Sequence, residues 1–164
     1  MVFGFINLPL YTNIHVIISL IAIVTGFVAV VEMIQSKRLG IWNAIFIWTT
    51  VATSVTGFGF PITGVTPGIV VGAISLVFLA VALFALYGRR IAGAWRSIYV
   101  VVAVIALWFN MFVLIVQSFQ KVAWLKALAP TQSELPFQAT QGVALVLLVV
   151  LAILAVRKFR PMAA

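Results

Sequence analysis

The chain has 164 residues, 65% of them hydrophobic and 7% charged, with a formal net charge of +8 and no cysteine. A water-soluble domain carries charge on about a quarter of its residues, so this composition cannot cover a water-facing surface, and the mean hydropathy of +1.30 makes a bilayer the expected solvent. The absence of cysteine excludes disulfides, thiolate catalysis, cysteine-ligated iron–sulfur centres and covalent c-type haem attachment.

Five apolar runs, over residues 12–35, 41–60, 68–87, 95–120 and 137–156, are each long enough to cross a membrane. A segment in hydrocarbon must satisfy its own backbone hydrogen bonds, which makes each run a helix. The expected fold is therefore an all-α membrane protein, a compact bundle of five transmembrane helices forming one domain over residues 1–164. No Lys or Arg precedes Lys37. The first run thus lacks the basic flank of a signal peptide and is expected to stay in the mature protein.

The first run opens with His15, the sole histidine, followed at helical spacing by Ser19, Ala22 and Gly26. Such a small, polar stripe is expected to face other helices. An imidazole here could accept a proton or contact a quinone, or serve only as an interfacial hydrogen-bonding group. Near the other end lies Glu32, the only acid in a run. It could be a proton or cation site, but a carboxylate this shallow can reach the interface. An interfacial ion pair with Lys37, Arg38, Arg89 or Arg90 is the expected arrangement. The turn at residues 36–40 ends in Gly40, a helix stop signal.

Thr49, Thr50, Thr53, Ser54 and Thr56 crowd the second run. Thr49, Thr53 and Thr56 share one face, while Thr50, Ser54 and Gly57 share the next. Hydroxyls at this density could line a polar path, or bond back to their own helix and let neighbours approach. Residues 57–61 and 64–68 supply the Gly and Pro that break the chain between the second and third runs. Gly68, Gly72 and Ser75 give the third run a small-residue packing face. In the fourth, Asn110 and Gln117 lie seven residues apart, nearly on one face with Ala103 and Ala106. That face is expected to point inward, because an amide in hydrocarbon needs a partner. Asn110 could hold a ligand group such as a quinone carbonyl or act as glue to the second helix. The following loop can form a short interfacial helix over residues 122–129 before Pro130, and Pro136 suits the first turn of the fifth helix.

Every charge falls between or beyond the runs except Glu32 and, at the very start of the fourth run, Arg96, which is grouped with Arg89 and Arg90 of the preceding turn. Placing Lys37 and Arg38 in the cytoplasm also places Arg89, Arg90, Arg96, Arg157, Lys158 and Arg160 there. Lys121 and Lys126, partly offset by Glu134, are left outside. Positive charge retained inside sets the orientation as N-terminus outside, C-terminus cytoplasmic. The basic clusters are suited to anionic lipid headgroups, and no folded basic surface with interleaved aromatics exists for nucleic acid.

Several chemistries are missing. There is no aspartate, no carboxylate pair in a span, no His/Asp/Glu cluster for a metal and no glycine-rich phosphate loop. Bis-histidine haem needs two imidazoles, and this chain has one. No cofactor and no self-sufficient catalysis are expected, although a quinone or a haem sharing a partner's ligand stays open.

His15 opening a span that reaches Gly26-Phe27-Val28-Ala29, then Lys37-Arg38-Leu39-Gly40 and a Thr-rich span, resembles small uncharacterised multi-span proteins of bacterial inner membranes. The Ala-Gly-Ala-Trp-Arg turn at residues 92–96 and the Ala-Pro-Thr-Gln-Ser-Glu loop at residues 129–134 extend the similarity. Some related families carry a histidine where this chain has Arg38. The resemblance implies a bacterial inner membrane and no known activity. Three functions are compatible with these residues. One is a non-catalytic bundle that self-associates or serves as an accessory subunit of a larger membrane complex. The second is a small carrier or channel using Thr49, Thr53, Thr56, Asn110 and Gln117, and the third a quinone- or haem-associated component using His15.

Overall fold

The computed structural model describes residues 7–61, 64 and 67–160. Val65 and Thr66, in the expected turn between the second and third runs, lie outside the described residues. The described chain is helical, with α1 Leu8–Ile34, α2 Ile41–Gly57, α3 Pro67–Leu83, α4 Ala94–Lys121, a short α5 Ala123–Leu128 and α6 Leu135–Lys158. Each long helix coincides with an apolar run to within about one helical turn.

Local chemistry sets the ends. Asn7 caps α1, its side-chain oxygen accepting the Leu10 amide at 2.8 Å. Beyond α1, Ser36 adopts φ 57° and reverses the chain. The second run was expected to continue to residue 60, but α2 stops at Gly57. There, i→i−3 bonds from Phe58 to Val55 and from Gly59 to Thr56 tighten the last turn ahead of Pro61. After α3 the helix widens into a π-turn over Phe84–Gly88. The chain then reverses through Arg90 and Ile91, both at positive φ, and the Ile91 amide bonds back to the Ala85 carbonyl at 2.8 Å.

Among the described residues four segments are long and apolar enough to cross a membrane: α1, Gly68–Gly88, α4 and α6. The 17 residues of α2 give a rise of about 25 Å, less than the roughly 30 Å hydrocarbon layer. It nevertheless runs back along α1 from the turn after Ser36 to the level of His15 and Tyr11, whose side chains both reach Thr56.

α4 is the hub, packing against α1, α2, α3 and α6. Its Val100, Ala103, Ala106 and Leu107 are fully buried beside Phe46 of α2 and Val30 and Met33 of α1. The closest approach is at Gly26. A Cβ there would lie 2.8 Å from Leu107 Cδ1 and 2.9 Å from the Phe46 ring, so the absent side chain lets α1, α2 and α4 meet. α6 presents most of its surface outward, with Val143 70% and Val146 64% exposed. Such a surface is compatible with hydrocarbon contact.

Candidate functional site

The six candidate polar residues do not converge on one cavity. His15, Thr53 and Thr56 form an α1–α2 seam, Asn110 makes an α2–α4 contact, Thr49 bonds within its own helix, and Gln117 is an outward-facing amide.

The α1–α2 seam is built from the stripe that His15 heads. His15 Nδ1 lies 2.8 Å from Thr56 Oγ1, and Ser19 Oγ lies 3.5 Å from Thr53 Oγ1. One turn before His15, the Tyr11 hydroxyl donates to the Thr56 carbonyl at 2.6 Å. Phe60 meets the Tyr11 and His15 rings edge-on, with centroids 5.0 and 5.1 Å apart. Gly57 leaves room beside His15 Cε1. The protonation pattern follows from Thr56, whose hydroxyl donates to the Ala52 carbonyl at 2.7 Å. Its single hydrogen is committed, so the shared contact requires His15 Nδ1–H to donate to the Thr56 oxygen. Nε2 then carries the lone pair.

The second contact joins α2 to α4. Asn110 Nδ2 donates to Thr50 Oγ1 at 3.2 Å, while Thr50 donates to the Phe46 carbonyl at 2.7 Å. Ser54, one turn further, meets Ser75 of α3 at 3.3 Å. Thr50 and Ser54 therefore serve α4 and α3, whereas Thr53 and Thr56 serve α1. Thr49 bonds only to its own helix, at the Ile45 and Phe46 carbonyls. Gln117 does not follow Asn110 inward and is exposed. α2 and α4 run in the same direction, and seven residues beyond Thr50 is Gly57, where α2 ends. At the level of Gln117 the neighbouring helix has stopped.

A further buried pair is one that the sequence analysis did not single out. Tyr99, fully buried in α4, donates its hydroxyl to Asn43 Oδ1 of α2 at 2.5 Å. A carboxamide at position 43 inside an apolar run was the available signal. Its partner lies 56 residues away, which no local pattern reveals.

The expected ion pair at Glu32 does not form. Among the described residues no base pairs with it, and Oε2 is buried without a hydrogen-bond partner. Lys37, Arg38 and Arg90 are exposed, and Lys37 meets Glu32 through the backbone, its amide donating to the Glu32 carbonyl at 2.9 Å. Arg89 stacks over the Trp95 ring at 5.4 Å. Arg96 is also withdrawn from the basic belt. Its guanidinium donates to the Phe159 carbonyl, and to that of Val156 at 3.3 Å, closing the C-terminal end of α6.

At the opposite end the loop before α6 is ordered by its own side chains. Gln132, at φ 59°, donates to the Val116 carbonyl at 2.9 Å, and Gln141 to that of Phe112 at 3.2 Å. A shallow hollow lined by Phe119, Gln120, Lys126 and Pro130–Gln132 lies beside it, and an apolar one follows the outer face of α6 from Ala139 to Val150. Neither is lined by His15, Thr50 or Asn110. Among the described residues no three His, Asp or Glu side chains cluster to hold a metal. The chain matches no protein-family model, and comparisons with curated proteins and with solved structures returned no similar protein.

Proposed function

We propose that this chain is a non-catalytic integral membrane protein of five spans, with its N-terminus outside and its C-terminus in the cytoplasm of a bacterium. Its role on this reading is that of an accessory or self-associating bundle in the inner membrane. The observation that carries it is the commitment of the interior polar groups. Thr50, Asn110, Asn43 and Tyr99 bond one another or their own helix instead of lining a path. A carrier needs polar groups that exchange partners with a solute, whereas these serve as interhelical ties. The fifth span is supported by the course of α2, which begins just after α1 ends and reaches the level of His15. The orientation is supported by the eight bases on one end against two on the other.

Mild solubilisation followed by mass spectrometry of co-purifying proteins tests the role. A stoichiometric membrane partner or a stable homo-oligomer is expected, and a monomer purifying alone would sink the reading. A reporter fused after Arg160 should be active only in the cytoplasm, and periplasmic activity overturns the orientation. The carrier reading predicts proteoliposome flux that Asn110→Leu abolishes; the bundle reading predicts none. A redox component is favoured by one feature only, the lone pair on His15 Nε2. A Soret or quinone absorption band in the purified protein, lost in His15→Phe, would establish it in place of the cofactor-free bundle.

A further inference from the structure

Two basic clusters far apart in sequence meet at one end of the bundle. The Arg160 amide donates to Ser36 Oγ at 2.8 Å across 124 residues. This contact sets the tail carrying Arg157, Lys158 and Arg160 against the turn carrying Lys37 and Arg38. All five bases are exposed, and among the described residues none forms an ion pair. The tail is held in place by more than the Ser36 contact. Phe159 is fully buried in the main core, and its carbonyl is gripped by Arg96. Ser36 accepts the Arg160 amide and donates to no partner among the described residues, so its hydroxyl hydrogen is available between the two basic segments. The nearest acid in sequence, Glu32, lies one turn back with one oxygen buried and neutralises none of the five.

We propose that this seam is a binding site for the headgroup of an anionic phospholipid, with a preference for one that carries two phosphates. Bases in two groups on either side of a hydroxyl donor match two linked phosphates better than one. The end of the bundle where α1 and α6 leave the apolar layer is also the depth at which headgroups lie. Because the tail is pinned, the bases are brought together before the lipid arrives, which lowers the ordering cost of binding. Arg96 is excluded from the site, because its guanidinium is occupied by α6 carbonyls. The proposal rests on the membrane-spanning reading but not on its orientation or on a protein partner. It is measured on the purified chain alone, so its failure is distinguishable from failure of the accessory role.

The test is native mass spectrometry of the full chain in a neutral detergent, titrated with cardiolipin, phosphatidylglycerol or phosphatidylcholine. Cardiolipin is expected to bind most tightly and phosphatidylcholine least. Lys37→Gln with Arg38→Gln, and separately Arg157→Gln with Lys158→Gln, should each weaken cardiolipin binding about tenfold or more. The same charge change at the other end, Lys121→Gln with Lys126→Gln, should leave it unchanged. Ser36→Ala should reduce the preference for cardiolipin over phosphatidylglycerol. An equal loss in the Lys121/Lys126 variant overturns the proposal in favour of diffuse charge. Displacement of cardiolipin by equimolar inorganic pyrophosphate overturns it in favour of a soluble anion. Unaltered thermal midpoints of the lipid-free variants exclude misfolding as the cause of any loss.

Discussion

α4 and α6 are equally apolar, yet half of the most apolar stretch of α4 is buried and only 17% of that in α6. Hydropathy therefore reports that a segment can cross a membrane and is silent about where it sits in the bundle. Position is set by residues that hydropathy averages away. In α4 the small Ala103 and Ala106 permit close approach, while Tyr99 and Asn110 reach polar partners on α2. Below its first turns α6 offers an almost unbroken surface of Val, Leu and Ala, and it touches the bundle chiefly through Ala144, Leu148 and Ala155. In water a buried apolar face stabilises a helix against the core. In lipid it does not, because the alternative solvent is equally apolar, so shape and polar pairing decide which helix becomes the hub.

This contrast is open to substitution, starting where the effect is largest. Gly26→Leu drives a side chain into Leu107 and Phe46 at the α1–α2–α4 crossing and is expected to cost about 3 kcal/mol, the upper part of the overpacking range. The loss should appear as a lowered midpoint in denaturing-detergent titration, and a neutral result would mean that the crossing is looser than its geometry. Asn43→Leu leaves the buried Tyr99 hydroxyl without an acceptor and should cost about 1–3 kcal/mol. Adding Tyr99→Phe should recover part of that loss, and a failure to recover would argue against the pair as its source. On the exposed face, Val146→Ala should change the same midpoint by less than about 0.5 kcal/mol. A loss as large as that at Gly26 would show α6 to be covered by a partner copy in the detergent used.

The smallest effect lies outside the spans. Desolvation, the largest single influence, pushes the Glu134 carboxyl up. Hydrogen bonds from the Thr131 hydroxyl at 2.9 Å and from backbone amides including those of Thr131 and Ser133 outweigh it, and hold the group below the usual carboxylate range. A carboxyl depressed in the folded state contributes stability above its unfolded pKa and loses that contribution as pH falls through the folded value. Carbon-13 NMR titration should therefore place Glu134 below an unstructured glutamate, and Thr131→Val should move it back up. An unchanged midpoint in that variant contradicts the assigned cause.

The helices were legible because length and hydropathy speak directly to them. The short α5 was legible too, from a stretch of about eight residues closed by Pro130. The inner stripe of α1 was readable because His15, Ser19, Ala22 and Gly26 recur at helical spacing, and all four lie along its contact with α2 and α4. Apart from Asn110, for which a tie to the second helix was one of the two readings and which meets Thr50, pairings across the bundle were not readable. Glu32 sits one turn from a basic turn in sequence, yet the Lys37 and Arg38 side chains after the reversal at Ser36 are exposed while Glu32 Oε2 is buried. Arg96 looks like one more positive charge at the boundary until the end of α6 arrives beside it. Gln117 matches Asn110 in phase, but phase says nothing about where the neighbouring helix ends. Each of these outcomes depends on a second segment, and single-segment periodicity carries no information about it.

The double grip on Thr56 also bears on how the end of the bundle that carries His15 responds to acid. Tyr11 holds the carbonyl of Thr56, and His15 holds its hydroxyl with a nitrogen that already bears its hydrogen. Adding a proton to the imidazole would charge the other nitrogen and leave both attachments in place. A histidine between two helices invites the idea of a latch that opens on acidification. With His15 Nδ1 as the donor, its bond to Thr56 does not depend on that proton, and acidification is expected to change the charge of this end while keeping the bond.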